Sequence, residues 1–130
     1  MKTETFSTIL GNGNLNLLTA SILNSEKQWN PHPKFHGVYL KHLITGEHTA
    51  NRFSSHIVRI DPFCILDEHI HEGITELHEV MEGSGSCILK GTEIYYSPGD
   101  CTVIPDDTPH KVTAGKNGLI ISAKFIPALL

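Results

Sequence analysis

From Phe35 onward, apolar positions recur with period two in short runs, and each run is closed by residues that favour turns. The candidate strands are Val38 to Ile44, Phe53 to Ile60, Ile65 to His71, Glu76 to Met81, Cys87 to Leu89, Glu93 to Tyr96, Cys101 to Ile104, His110 to Thr113 and Leu119 to Phe125. Between them stand Thr45-Gly46-Glu47, Asp61-Pro62, Glu82-Gly83-Ser84-Gly85, Lys90-Gly91-Thr92, Ser97-Pro98-Gly99-Asp100 and Gly115-Lys116-Asn117-Gly118, which supply turn dihedrals. No stretch reads as a long amphipathic helix. Many short strands at this spacing predict an all-β sandwich or barrel over residues 35–130.

The first 34 residues carry a weaker pattern and read as an N-terminal extension packing on that barrel. Gly11-Asn12-Gly13-Asn14 is a turn, and Leu15 to Leu23 fits either a short helix or an edge strand. Asn30-Pro31-His32-Pro33 reads as an irregular connection, because two prolines one residue apart sustain neither a helix nor a central strand.

At 130 residues the chain is long enough for one domain with a proper core and too short for two. Its 39% apolar and 18% charged residues are those of a soluble globular protein, and the net charge of −4 with no basic stripe argues against nucleic acid as a partner. Cys64, Cys87 and Cys101 form no CxxC pair and are odd in number, so neither a disulfide framework nor a zinc ribbon is expected. They read as small apolar core residues in a reducing interior. The start Met1-Lys2-Thr3-Glu4-Thr5-Phe6 has no signal-peptide pattern and no segment is long and apolar enough to span a membrane, so a cytoplasmic location is expected.

The chemistry concentrates in Asp67-Glu68-His69-Ile70-His71-Glu72-Gly73-Ile74-Thr75-Glu76, followed later by a lone His110. Imidazoles at i and i+2 on a strand point to one side, so His69 and His71 can reach one ion. Glu76, across a short turn containing Gly73, can supply a third ligand and His110 a fourth; Glu72 is a neighbouring alternative to Glu76. Imidazoles with one carboxylate suit a divalent transition metal such as zinc, iron, nickel or manganese rather than calcium or magnesium. Seven of the fourteen acidic residues fall between Asp61 and Glu82, which favours a cation there, although solvated strand edges show the same excess. If Glu76 faces inward, so do His78 and Val80. His42 and His56 share parity with apolar strand positions and read as packed, hydrogen-bonded histidines, while His32, His36 and His48 sit by loops and read as solvated. Tyr95 and Tyr96 read as packing or solvent-facing residues.

The run His69, His71, Glu76, Gly83 resembles the first motif of the cupin superfamily, and Gly99, Pro105, His110 resemble the second; together with their flanks they carry the resemblance over roughly residues 36–126. Three positions depart from the pattern. Phe63 stands where a glycine usually opens the first motif, Asp107 replaces the second motif's glycine, and Ala114 replaces an asparagine. Asp107 therefore puts a carboxylate near the site where the family usually has none. The resemblance implies a double-stranded β-helix, or jelly-roll barrel, with one divalent metal ion inside on His69, His71, Glu76 and His110, and it implies a homodimer, for which exposed sheet edges give a physical motive. His78 occupies a place where cupins often carry an aromatic residue, and reads as a polar pocket-lining group, a hydrogen-bond partner of a ligand, a proton carrier, or an inward hydrogen-bonded histidine without chemistry.

Four protein ligands leave an octahedral ion open positions for a small molecule. The expected function is a metal-dependent enzyme of dioxygenase, isomerase or lyase type acting on a small organic substrate, with Glu76 and His78 as the candidates for proton transfer. The alternative is a sensing module that binds a small ligand through the metal without turnover, since fold alone does not decide between the two.

Overall fold

The computed structural model describes residues 4–130. Met1, Lys2 and Thr3, which open the expected N-terminal extension, lie outside the described residues. A short helix α1 (Phe6–Gly11) leads into a hairpin of β1 (Asn14–Asn16) and β2 (Ser21–Leu23), so the segment expected as helix or edge strand is a small two-stranded sheet of its own. There follow β3 (Trp29–Pro31), β4 (Val38–Ile44), α2 (Gly46–Thr49), β5 (Ser54–Ile60), β6 (Ile65–His69), β7 (Thr75–Leu89), β8 (Thr92–Tyr96), β9 (Cys101–Ile104) and β10 (His110–Ile126). Strands β3 to β10 form one antiparallel ladder ordered β3-β4-β5-β10-β7-β8, with β6 on β10 and β9 on β7. Among the described residues no helix is long and apolar enough to cross a membrane.

Two expected turns are not turns. Glu82 to Gly85 and Gly115 to Gly118 lie inside the single strands β7 and β10, and the register between those strands shifts there, from Ala114 opposite Gly85 to Leu119 opposite Gly83. The glycines serve a corner. Gly83 and Gly118 both have positive φ, and a Cβ on Gly83 would sit 2.0 Å from the Gly118 carbonyl oxygen. A straight strand would separate His110 from Phe125 by about 50 Å at 3.3 Å per residue. Yet both rings pack on His71, with centroids 5.6 and 5.1 Å away. Both long strands therefore fold over at their glycine-rich middles, and each half belongs to a different wall: this is the expected jelly roll.

Inward residues stack in layers across the first wall. Val38, Ile60 and Leu119 form one layer; Leu40, Val58, Ile121 and Val80 form the next. Then comes a polar layer, His42, His56, Ala123, His78 and Thr102, and above it Ser54, Phe125, Glu76 and Ile104. The apolar layers form the core and the polar ones open the site, so parity of Glu76, His78 and Val80 is as the alternation requires. Cys87 is buried and Cys64 packs against the core, but Cys101 is exposed, contrary to expectation: it pairs with Glu79 on the outer face while Thr102 and Ile104 take the inward positions. Trp29–Pro31 also differs from the irregular connection expected. It is an edge strand on β4, where proline costs no ladder bond on its free side.

Residues of α1 and of the segment from Asn14 to Ser25 lie against the outer face of the first wall, whereas Trp29–Pro31 is part of the sheet. The Ser7 hydroxyl bonds the Glu82 carboxylate, and the Lys27 ammonium donates to the Leu43 carbonyl at 2.6 Å.

Candidate metal centre

The ends of β6, β7 and β10 meet at one mouth of the barrel, which brings distant residues together. His69, last in β6, pairs across the ladder with His110, first in β10, and their rings lie 4.2 Å apart. His71 stands beyond the end of β6 rather than on it, because the chain is already turning toward β7; its ring is 4.9 Å from that of His69. One nitrogen of each of the three histidines lies within 4.8 Å of the other two. Glu76 points Oε1 at the same place, 3.1 Å from His110 Nε2 and 3.7 Å from His71 Nε2. Glu72, the alternative carboxylate, is exposed in the turn and outside the cluster.

The hydrogen bonds around the rings decide which nitrogen is available. His69 Nδ1 donates to the Asp67 carbonyl at 2.7 Å, and His110 Nδ1 donates to the Thr108 carbonyl at 2.9 Å. Each proton held on Nδ1 leaves the Nε2 lone pair free, which is the tautomer a metal ligand needs. Two buried atoms, Glu76 Oε1 and His110 Nε2, have no hydrogen-bond partner. A lone pair facing a carboxylate oxygen is repulsive unless a cation lies with them. The donor set fits a divalent transition metal: three imidazoles lie together, with one carboxylate oxygen beside two of them.

The protonation tendencies agree with this arrangement. Burial alone would raise the Glu76 carboxyl, but the nearby His78 and His110 rings outweigh it and hold the group well below the usual carboxylate range. His110 is moved the opposite way: burial works to lower it, while the adjacent Glu76 carboxylate and the bond to the Thr108 carbonyl bring the net shift upward. His69 is depressed to about 4, chiefly by burial, and burial also lowers His71.

Behind the carboxylate, His78 Nε2 lies 2.8 Å from Glu76 Oε2 and His78 Nδ1 lies 2.9 Å from the Tyr96 hydroxyl. Tyr96 is only 1% exposed, so it packs as expected, but its hydroxyl is also part of the polar system, which sequence could not show. Tyr95 faces solvent. Asp107 does not enter the cluster: its carboxylate accepts the Gly73 N–H at 3.1 Å, and its own N–H donates to the His71 carbonyl at 3.2 Å. It clamps the turn that carries His71. Phe63 and Asp107 both adopt positive φ, so the two positions that depart from glycine keep the left-handed backbone at a steric cost.

Three neighbours of the cluster were not legible in the sequence. Phe125 packs edge-on against His71, Phe35 lies 6.3 Å from His69, and His32 stacks on Phe35 at 4.6 Å. His32 is thus not a freely solvated loop residue: its Nδ1 accepts the backbone N–H groups of Lys34 and Phe35. A second histidine pair lies across Phe125 from the cluster. His42 Nδ1 and His56 Nδ1 are 2.7 Å apart, His56 Nε2 is 2.8 Å from Ser54 Oγ, and His56 packs on Phe125 at 5.4 Å. His36 is exposed, and His48 accepts the Thr45 N–H at the start of α2.

The fold and this centre define a small β-barrel with a histidine-rich candidate metal site, and comparison with known proteins places it. A family model described as the cupin domain matches residues 56–120, half of the 130-residue chain, and the chain belongs to the cupin family. Solved structures of similar fold include KdgF from Halomonas sp., at TM-score 0.70 and 24% identity over 81% of this chain and 90% of that one. A predicted oxalate decarboxylase from Thermotoga maritima gives TM-score 0.72 and 22% identity over 79% of this chain and 95% of that one. The polyketide cyclase RemF from Streptomyces resistomycificus gives 0.69 and 22% over 82% and 77% respectively. At these identities the likeness is one of fold. No protein of curated function matches the chain in sequence.

Proposed function

We propose that this cupin is a metal-dependent enzyme acting on a small organic molecule, with His69, His71, Glu76 and His110 holding one divalent transition metal ion. The observation that carries this reading is the pair of buried atoms without partners, Glu76 Oε1 and His110 Nε2, aimed at one point beside two further imidazoles. Bound there, zinc, iron, nickel or manganese would supply Lewis acidity toward a carbonyl, hydroxyl or carboxylate oxygen of the substrate.

The chain's own residues do the rest. Backbone carbonyls of Asp67 and Thr108 orient the His69 and His110 rings, and Asp107 fixes the turn that delivers His71. Phe35 and Phe125 flank the imidazoles and give one side of the mouth an apolar surface. Two neighbours in fold bear the names of a predicted oxalate decarboxylase and a polyketide cyclase, and this supports isomerase or lyase chemistry on a small organic substrate.

The test is elemental analysis of the purified protein followed by chelation and reloading with single metals. About one equivalent of transition metal per chain is expected, with turnover of hydroxy-acid or keto-acid substrates lost on chelation and restored by one particular metal. Stoichiometric ligand binding without product would favour the sensing alternative, and a protein that binds no metal would sink both.

A further inference from the structure

Glu76 offers two oxygens to its surroundings, and the fold treats them differently. Oε1 has no hydrogen-bond partner and faces the histidines, whereas Oε2 is 2.8 Å from His78 Nε2. An ionised carboxylate only accepts, so His78 Nε2 carries a proton. In a neutral ring the other nitrogen is then an acceptor, and the Tyr96 hydroxyl, 2.9 Å away, must donate to it. Thr102 and Cys87 border the Tyr96 hydroxyl. The direction of the chain is set: Tyr96 to His78, His78 to Glu76.

Every member is buried and the members come from both walls. His78 and Thr102 pair across β7 and β9, while Tyr96 reaches over from β8, where its strand partner is Gly85. Both ring nitrogens of His78 are occupied, and its far neighbour ends in the core rather than in solvent. A proton passed to His78 would have no way out.

We infer that His78 is a positioning residue: with Tyr96 behind it, it ties up Oε2 so that Glu76 presents one oxygen, Oε1, to the metal. This rests on the metal-enzyme reading, and it removes His78 from the two candidates for proton transfer. Outer hydrogen bonds of this kind typically change metal affinity by about 10–100-fold.

The experiment is zinc affinity by competition with a chromophoric chelator, together with the visible spectrum of the cobalt-substituted protein, for the wild type and the variants His78→Phe, His78→Gln and Tyr96→Phe. His78→Phe is expected to weaken zinc about 10–100-fold and to shift the cobalt bands as the carboxylate is freed to use both oxygens. A glutamine amide can still donate to Oε2, so His78→Gln recovers most of the affinity and the native spectrum. Tyr96→Phe leaves the Glu76 bond but no longer fixes the ring, and costs roughly a few-fold. Equal affinity in the wild type and His78→Phe overturns the inference alone, as does a His78→Gln protein as weak as His78→Phe. A wild type that binds no metal overturns the metal reading and the inference together. Should phenylalanine at position 78 prevent folding, glutamine is compared with asparagine, which is too short to reach Oε2; equal affinity of those two overturns the inference.

Discussion

Two groups of histidines sit inside the same barrel on either side of Phe125, and they differ in one respect. His69 and His56 are both buried enough to be depressed to about 4, so a perturbed protonation equilibrium does not tell the groups apart. Hydrogen bonding does. Both ring nitrogens of His56 have partners in His42 and Ser54, and the Ser54 hydroxyl also accepts the Leu129 N–H at 2.9 Å. The His110–Glu76 side has buried atoms with none. A satisfied buried histidine is part of the architecture, whereas an unsatisfied one has a vacancy that chemistry can use.

That contrast can be broken by substitution. The largest effect is expected from His110→Ala or His71→Ala, which should take metal content from about one equivalent to near zero while circular dichroism still reports a folded barrel. Full metal retention in both would remove the distinction between the groups. His56→Ala should do the reverse: it leaves a cavity and strands Ser54 and His42, costing about 2–4 kcal/mol in urea unfolding with metal content unchanged.

A pH titration sharpens the comparison further. His56 is lowered from its ordinary 6.5 to about 4 because burial disfavours its charged form, with His42 adding to the effect. The unfolded chain therefore binds the proton first on acidification. Stability of the metal-free protein should be complete above about pH 6.5 and fall as the pH drops toward 4, by on the order of 3 kcal/mol from this residue. His56→Phe should flatten that part of the curve; an unchanged pH dependence would show that the pair is not the source. The smallest effect is expected for Ser54→Ala, about 1–2 kcal/mol, since it leaves the His42–His56 bond in place.

Much of this contrast was visible in the sequence as residue types but not as partners. Period-two alternation was enough to assign inward parity to Glu76, His78 and Val80, and motif spacing singled out the three histidines that gather at the mouth, with Glu76 beside two of them. Local rules failed where a glycine-rich segment is read without its neighbour. Gly115 to Gly118 reads as a turn by itself, but opposite Gly83 it becomes a bend within a continuing ladder. Tyr96, Phe35 and Phe125 reach the site through pairings between distant elements, and no local pattern encodes those. Asp107 showed the opposite error: a carboxylate beside the second motif was legible, but its engagement with the Gly73 N–H was not.

The corner at Gly83 and Gly118 makes β7 and β10 behave as a pair of tongs. Glu76 and His110 ride on the jaws, while the hinge sits about 23 Å from Glu76 along its strand at 3.3 Å per residue. With no room for a Cβ at Gly83, the hinge is held nearly shut, and the gap between the jaws is set there. The ion a site prefers depends on how far apart its donors are held, so if the cluster holds a metal as proposed, a substitution at Gly83 would change its preference from the opposite end of the barrel, without touching a ligand.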